Sequence, residues 1–187
     1  MRYLAPFAAA AAASLALAAA TPAAASVMVL GNDIAVDCSK AAFAGRFDRQ
    51  SIETCTRALQ EDRLDRRDRA GTLVNRGVML TRARDYAAAR ADLDKAADLE
   101  PTLGEAFVNR GVVMMADRDY SQALVEIDRG LSLGVDEPAK AYYNRALVHE
   151  SLDDARSAWL DYRKAQELAP EWDAPRRQLT RFTVTKP

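Results

Sequence analysis

Between residues 70 and 170 the apolar positions follow a helical spacing. In the stretch LVNRGVML, Leu73, Val74, Val78 and Leu80 make a broad stripe on one side of a helix, not the alternation of a strand. Asp85 and Asp119 each precede an alanine-rich helical stretch, where a side-chain oxygen can cap free amides. Pro101 and Pro170 predict where the second helices stop. The pattern then repeats. Asn75-Arg76-Gly77, Asn109-Arg110-Gly111 and Asn144-Arg145-Ala146 place a small residue at 77, 111 and 146, at intervals of 34 and 35 residues. Asp85-Tyr86, Asp119-Tyr120 and Asp154-Ala155 keep the same phase, as do Ala89, Ala123 and Ala158, then Ala96, Gly130 and Ala165. Small residues where helices cross allow close approach, with larger apolar neighbours interlocking around them. A single hairpin leaves an apolar face bare, so a fixed period of this length predicts a stack of helical hairpins.

These residues resemble the tetratricopeptide repeat family, whose unit has a large residue, a small one, a Tyr, an Ala, a Phe, another Ala and a Pro. The large slot holds Leu73, Phe107 and Tyr142, and the small slot Gly77, Gly111 and Ala146. The Tyr slot holds Leu80, Met114 and His149, and between the two alanine slots stand Leu93, Ile127 and Tyr162. Pro101 and Pro170 match the closing proline, whereas Leu133-Gly134-Val135 runs on to Pro138, one residue late. Arg76, Arg110 and Arg145 stand where Leu is usual. The resemblance covers about half the chain and implies an all-α fold, a right-handed superhelix of stacked antiparallel helix hairpins.

In chain order, Arg2 and then an unbroken small-apolar run from Phe7 to Ala20 precede Ala23-Ala24-Ala25 and Ser26, the form of a secretory signal peptide with an A-x-A cleavage site. The alternative is an uncleaved anchor, but the run falls short of the roughly 20 apolar residues that span a bilayer. Residues 26–37 read as an extended or loosely packed leader. A degenerate hairpin follows, with helices over Cys38–Ala44 and Gln50–Gln60 and a turn over Gly45–Asp48; Ile52, Cys55, Thr56 and Leu59 form its inward stripe. Cys38 and Cys55, the only 2 cysteines, flank the turn at nearly equal distances, which places them opposite each other. In an exported protein that predicts a disulfide. A redox pair is the alternative, but the spacing lacks the Cys-X-X-Cys tuning. The mixed-charge run 61–69 reads as a solvated connector. After Pro170, Trp172 covers the last hairpin and a short capping helix reaches about Phe182, followed by a disordered tail. The chain thus divides into a signal peptide (1–25), leader (26–37), first hairpin and connector (38–69), three repeats (70–103, 104–138, 139–172), and cap and tail (173–187).

Charge narrows the partners. Lys+Arg number 26 against Asp+Glu 27, which argues against nucleic acid as a general partner and against a strongly charged membrane-surface role. The Ala, Arg and Asp bias suggests a bacterium of high genomic GC content. His149 is the only histidine and occupies a packing slot. No converging metal ligands, G-x-S-x-G, phosphate loop or dinucleotide fingerprint are present, so no cofactor, no metal and no enzymatic activity are expected.

The resemblance then turns attention to the surface. First helices of this fold line its concave face, and Asn75, Asn109 and Asn144 fall at one equivalent point on each. Related superhelices use such an asparagine ladder to grip the backbone of an extended peptide, because a primary amide both donates and accepts. Val74, Val78, Val108, Val112, Met115, Tyr143 and Leu147 share that stripe. Another family mode clamps a terminal carboxylate with basic side chains; Lys140 and Arg82 are its only candidates here. Arg76, Arg110 and Arg145 are expected to bridge acids of neighbouring hairpins, such as Glu105 or Asp98. The expectation is a non-enzymatic interaction adaptor in the bacterial envelope, periplasmic or secreted, binding a peptide or partner protein on its concave face. The alternative is a scaffold or self-associating subunit that uses its convex face or ends.

Overall fold

A computed structural model describes residues 2–4, 20–31, 33–60 and 64–185. The apolar run expected to form most of the signal peptide, residues 5–19, lies outside the described residues, as do residues 61–63 of the charged connector.

The described chain is an all-α stack of hairpins. The first pairs α1 (Asp33–Phe43) with α2 (Arg49–Gln60). The three repeats pair α3 (Arg66–Arg82) with α4 (Tyr86–Leu99), α5 (Gly104–Ala116) with α6 (Tyr120–Leu133), and α7 (Pro138–Ser151) with α8 (Ala155–Leu168). A short helix, α9 (Asp173–Leu179), covers the end of the stack. Asp65, Asp85, Asp119 and Asp154 start α3, α4, α6 and α8 by accepting from the amides of Asp68, Ala88, Gln122 and Ser157 at 2.8, 3.2, 3.4 and 3.0 Å. Each of these satisfies a free amide in a helix's first turn. In all three repeats the residue just before the second helix's cap has a left-handed backbone: Arg84 (φ 64°), Arg118 (60°) and Asp153 (60°).

The small residues work as close-approach points. A Cβ on Gly111 would come within 2.7 Å of Ile127 Cγ1 and 2.9 Å of the Ala123 carbonyl oxygen, so α5 and α6 could not pack at this distance with any larger residue there. Phe107, Leu93, Ile127 and Tyr162 are fully buried between the helices.

Local structure departs from expectation at several points. Helix α1 begins at Asp33, whose carboxylate favours a helix N-terminus, and not at Cys38. In α2 the fully buried residues are Ser51, Cys55 and Ala58, while Ile52, Thr56 and Leu59 are half-buried. The small side chains are what let α2 sit close to its neighbours. Helix α6 ends at Gly134 with φ 88°, and Pro138 opens α7 at its first turn instead of closing the second repeat. Proline suits that place because the amide it lacks would be unpaired anyway. The capping helix stops at Leu179, short of Phe182. The tail is not disordered throughout: β2 (Thr183–Thr185), rich in β-branched residues, pairs antiparallel with β1 (Arg2–Leu4), Arg2 opposite Thr185.

Cys38 and Cys55 form a disulfide, with their Cα atoms 4.9 Å apart. It joins α1 to α2 beside Met79 of α3. Trp172 lies against Tyr143, ring centroids 4.9 Å apart, and covers the last repeat as expected.

Candidate functional site

The face built from the first helices of the repeats already holds an extended segment, residues 20–30 of the chain itself. Asn144 Nδ2 donates to the Ala23 carbonyl at 2.7 Å and its Oδ1 accepts from the Ala23 amide at 2.8 Å. Asn109 does the same with Ala25, at 2.7 and 3.3 Å. Asn75 does the same with Val27, at 2.7 and 2.9 Å. Three side-chain amides on successive hairpins therefore read the main chain of every second residue. The segment runs from the third repeat back to the first. Such pairing uses only peptide groups, so it carries no side-chain preference of its own.

The three asparagines are 0, 3 and 0 % exposed in chain order, and buried amides are tolerated only when paired. Asn109 is also held in place by donating to the Glu105 carbonyl at 2.8 Å. Side chains of the segment then sort by face. Val27 packs among Ala70, Leu73 and Val74, and Val29 among Ala35, Ala58 and Leu64, whereas Met28 and Leu30 are exposed. Gly71 makes this possible: a Cβ there would lie 3.0 Å from both Val27 Cγ1 and Val29 Cγ2. Ala25 is completely buried against Val108 and Ala141. The first part of the leader is thus extended, as one of its two expected forms, and docked, while residues 33–37 already belong to α1.

Beside this strand a cavity of about 1470 Å³ stays open. Val78, Val112, Met115, Tyr143, Leu147 and Asn109 all line it, together with Ala20 to Ala24 of the segment. Val74 and Val108, expected on the same lining, are instead buried beneath the strand. Arg82, Arg84, Lys140, Arg177 and Arg181 also border the cavity, against Glu150 as the one acid among its described lining residues. Glu150 is engaged by Arg181 at 2.7 Å, and Lys140 by Glu137 at 2.6 Å. Burial lowers the pKa of Arg82, whose guanidinium approaches the Ala42 carbonyl at 3.5 Å.

A second ladder holds the hairpins together. Arg76 grips Asp92 through two bonds of 2.7 Å, Arg110 grips Glu126 at 2.9 and 2.6 Å, and Arg145 grips Asp161 at 2.7 and 2.8 Å. Each arginine's remaining nitrogen reaches the preceding hairpin: Thr56 at 3.0 Å, Asp94 at 3.3 Å and Asp128 at 2.7 Å. The acids are not Glu105 or Asp98. Glu105 accepts from the Asp136 amide at 2.7 Å, and burial raises its pKa. The hydrogen bonds to Asp161 raise the pKa of Arg145 further above its already high value. The signal for these partners was in the sequence, since each acid lies 16 residues after its arginine. His149 is partly buried, 3.8 Å from both Asp154 and Asp161. Among the described residues no cluster of His, Cys, Asp or Glu could hold a metal ion, and no helix is long and apolar enough to cross a membrane.

A family model described as Tetratricopeptide repeat matches residues 139–171, the third repeat. Residues 139–171 are thus a tetratricopeptide repeat, and the described hairpins share that fold. Solved tetratricopeptide structures share the fold along most of the chain's repeats. The first TPR of Spaghetti (RPAP3) bound to the HSP90 peptide SRMEEVD is 22 % identical, covering 59 % of this chain and 87 % of that one, with a TM-score of 0.55. YrrB, described as a TPR protein with an unusual peptide-binding site, is 23 % identical over 68 % of this chain and 63 % of its own, TM-score 0.58. MamA from Desulfovibrio magneticus RS-1 is 21 % identical over 82 % and 84 %, TM-score 0.57. No curated protein matches by sequence.

Proposed function

We propose that this tetratricopeptide repeat protein is a non-enzymatic interaction adaptor of the bacterial envelope, exported through a cleaved signal peptide, that binds an extended peptide or partner protein on its concave face. The observation that carries the reading is the paired grip of Asn75, Asn109 and Asn144 on alternate peptide groups of the segment at Ala23, Ala25 and Val27. A groove that holds its own backbone this way has the chemistry to hold another. Two of the neighbours are described by the peptides or peptide site they carry, which supports a peptide or protein partner. The basic rim of Arg82, Arg84, Lys140 and Arg177 suits a segment bearing acidic groups.

A second reading rests on Val125 and Leu160, large apolar side chains 57 and 46 % exposed on α6 and α8. It makes the protein a scaffold that associates through those second helices. Photocrosslinking in the envelope separates the two. A crosslinking amino acid at Met115 should capture a partner, and the capture should vanish when Asn75, Asn109 and Asn144 are all replaced by Ala. Capture from Leu160 alone, unaffected by the triple replacement, would overturn the groove reading in favour of the scaffold.

A further inference from the structure

The segment in the groove and the expected cleavage site are one stretch of chain. Ala23-Ala24-Ala25 is the A-x-A motif before Ser26, and Ala23 and Ala25 are the residues paired with Asn144 and Asn109. We propose that export opens the groove. Removal of residues 1–25 empties the Asn144 and Asn109 rungs, leaves Val27 on Asn75, and creates a site for the free C-terminus of an extended partner polypeptide whose last residue is small. This inference rests on the concave-face reading above.

Three features set the ligand chemistry. First, each emptied asparagine loses a donor–acceptor pair that matched one peptide unit, so what fits the vacancy is extended backbone with the same alternation. Second, Ala25 is fully enclosed by Val108 and Ala141, leaving no space for a larger side chain at the last position. Third, a chain that enters in the direction of the lost segment ends where the bond to Ser26 was cut. Cleavage turns the Ser26 nitrogen into an α-amino group, whose ordinary pKa of about 7.7–8.0 leaves it mostly charged at neutral pH. Ser26 is 2 % exposed when the groove is filled. A ligand that refills the groove buries this ammonium again, which is unfavourable without a counter-charge. A terminal carboxylate supplies that charge at the cut, and the middle of a longer peptide does not. The positive charge here comes from the main chain, not from Arg82 or Lys140.

The test combines the intact mass of the exported protein with calorimetric titration of that mature chain. The probe is the hexapeptide ATPAAA, the sequence of residues 20–25, as a free acid, as a C-terminal amide, and with its last alanine changed to leucine. The expected result is a mature chain starting at Ser26 that binds the free acid one to one. The amide should bind at least about tenfold more weakly, and the leucine peptide and the uncleaved full chain should show no binding. The N109A variant should lose the interaction. A mature chain beginning at or before Ala23 would overturn the proposal, because the rungs would remain filled by the chain itself. So would failure of the free acid to bind. Equal binding of acid and amide, still dependent on Asn109, would overturn the C-terminal specificity while leaving the concave-face reading intact.

Discussion

Replacing Asn75 by Ala removes the one rung that is filled both before and after cleavage. Two buried hydrogen bonds disappear, 2.7 Å to the Val27 carbonyl and 2.9 Å from its amide. If the strand stays docked, both Val27 groups are left unpaired in an apolar setting at about 1–3 kcal/mol each. If it undocks instead, Val27 and Val29, now 8 and 1 % exposed, lose their burial, at about 1.5–3 kcal/mol for each side chain. The chain takes the cheaper route, so the two limits together put the loss at about 2–6 kcal/mol. Urea denaturation of the mature protein reads this directly, as a lower midpoint at unchanged slope if the strand stays docked. Limited proteolysis within residues 26–31 tells which route is taken. A change below about 0.5 kcal/mol, the range of an ordinary surface substitution, with unaltered protease resistance would refute the reasoning, because the rung would then hold nothing.

Other perturbations test the frame. Replacing both Cys38 and Cys55 by Ser should lower stability by about 3 kcal/mol in the chain-entropy model, measured by denaturation with the parent under oxidising conditions as reference. The left-handed backbone at Arg84 and Arg118 disfavours side chains, so R84G and R118G should each raise stability by about 0.5–1 kcal/mol in the same assay. Glu105 has a folded-state pKa raised above the usual carboxylate value by burial, opposed by the bond from the Asp136 amide and by nearby Arg67. The folded state therefore keeps this proton to higher pH than the unfolded chain does, and its stabilising share is present below the unfolded pKa and lost as pH rises through the folded one. E105Q should remove that slope from a stability profile taken upward from about pH 4, while an unchanged slope would exclude Glu105 as its source.

Much of the fold was legible because the repeat obliges it to be. Gly77, Gly111 and Ala146 recur where helices must touch, and Asp85, Asp119 and Asp154 recur where second helices must start, so local chemistry and period agree. The two cysteines were readable for the same reason, being equidistant from one turn. The leader was not. Its partners, Asn75, Asn109 and Asn144, lie between 48 and 121 residues away, and nothing nearby in sequence announces a strand that pairs with side chains instead of another strand. The alternation of buried Val27 and Val29 with exposed Met28 and Leu30 is a two-residue period, but all four are apolar and the pattern is silent by composition. The shared register of the asparagines, one on each first helix, was visible in the repeat. What the sequence could not show is that the chain's own backbone would lie across them. The arginine ladder was visible in part. Arg110 and Arg145 do bridge acids of the preceding hairpin, Asp94 and Asp128, but the acids expected there were others. The doubly bonded Asp92, Glu126 and Asp161 on the facing helix of the same hairpin were not foreseen.

The most direct test of the central claim, that the three asparagines hold an extended backbone, is residue-resolved amide exchange across residues 20–30 of the full-length chain. Slow exchange at Ala23, Ala25 and Val27, faster exchange at Ala24 and Ser26, and loss of the alternation when Asn75, Asn109 and Asn144 become Ala are the predicted results. Uniformly fast exchange in the parent, or protection that survives the triple replacement, would contradict it.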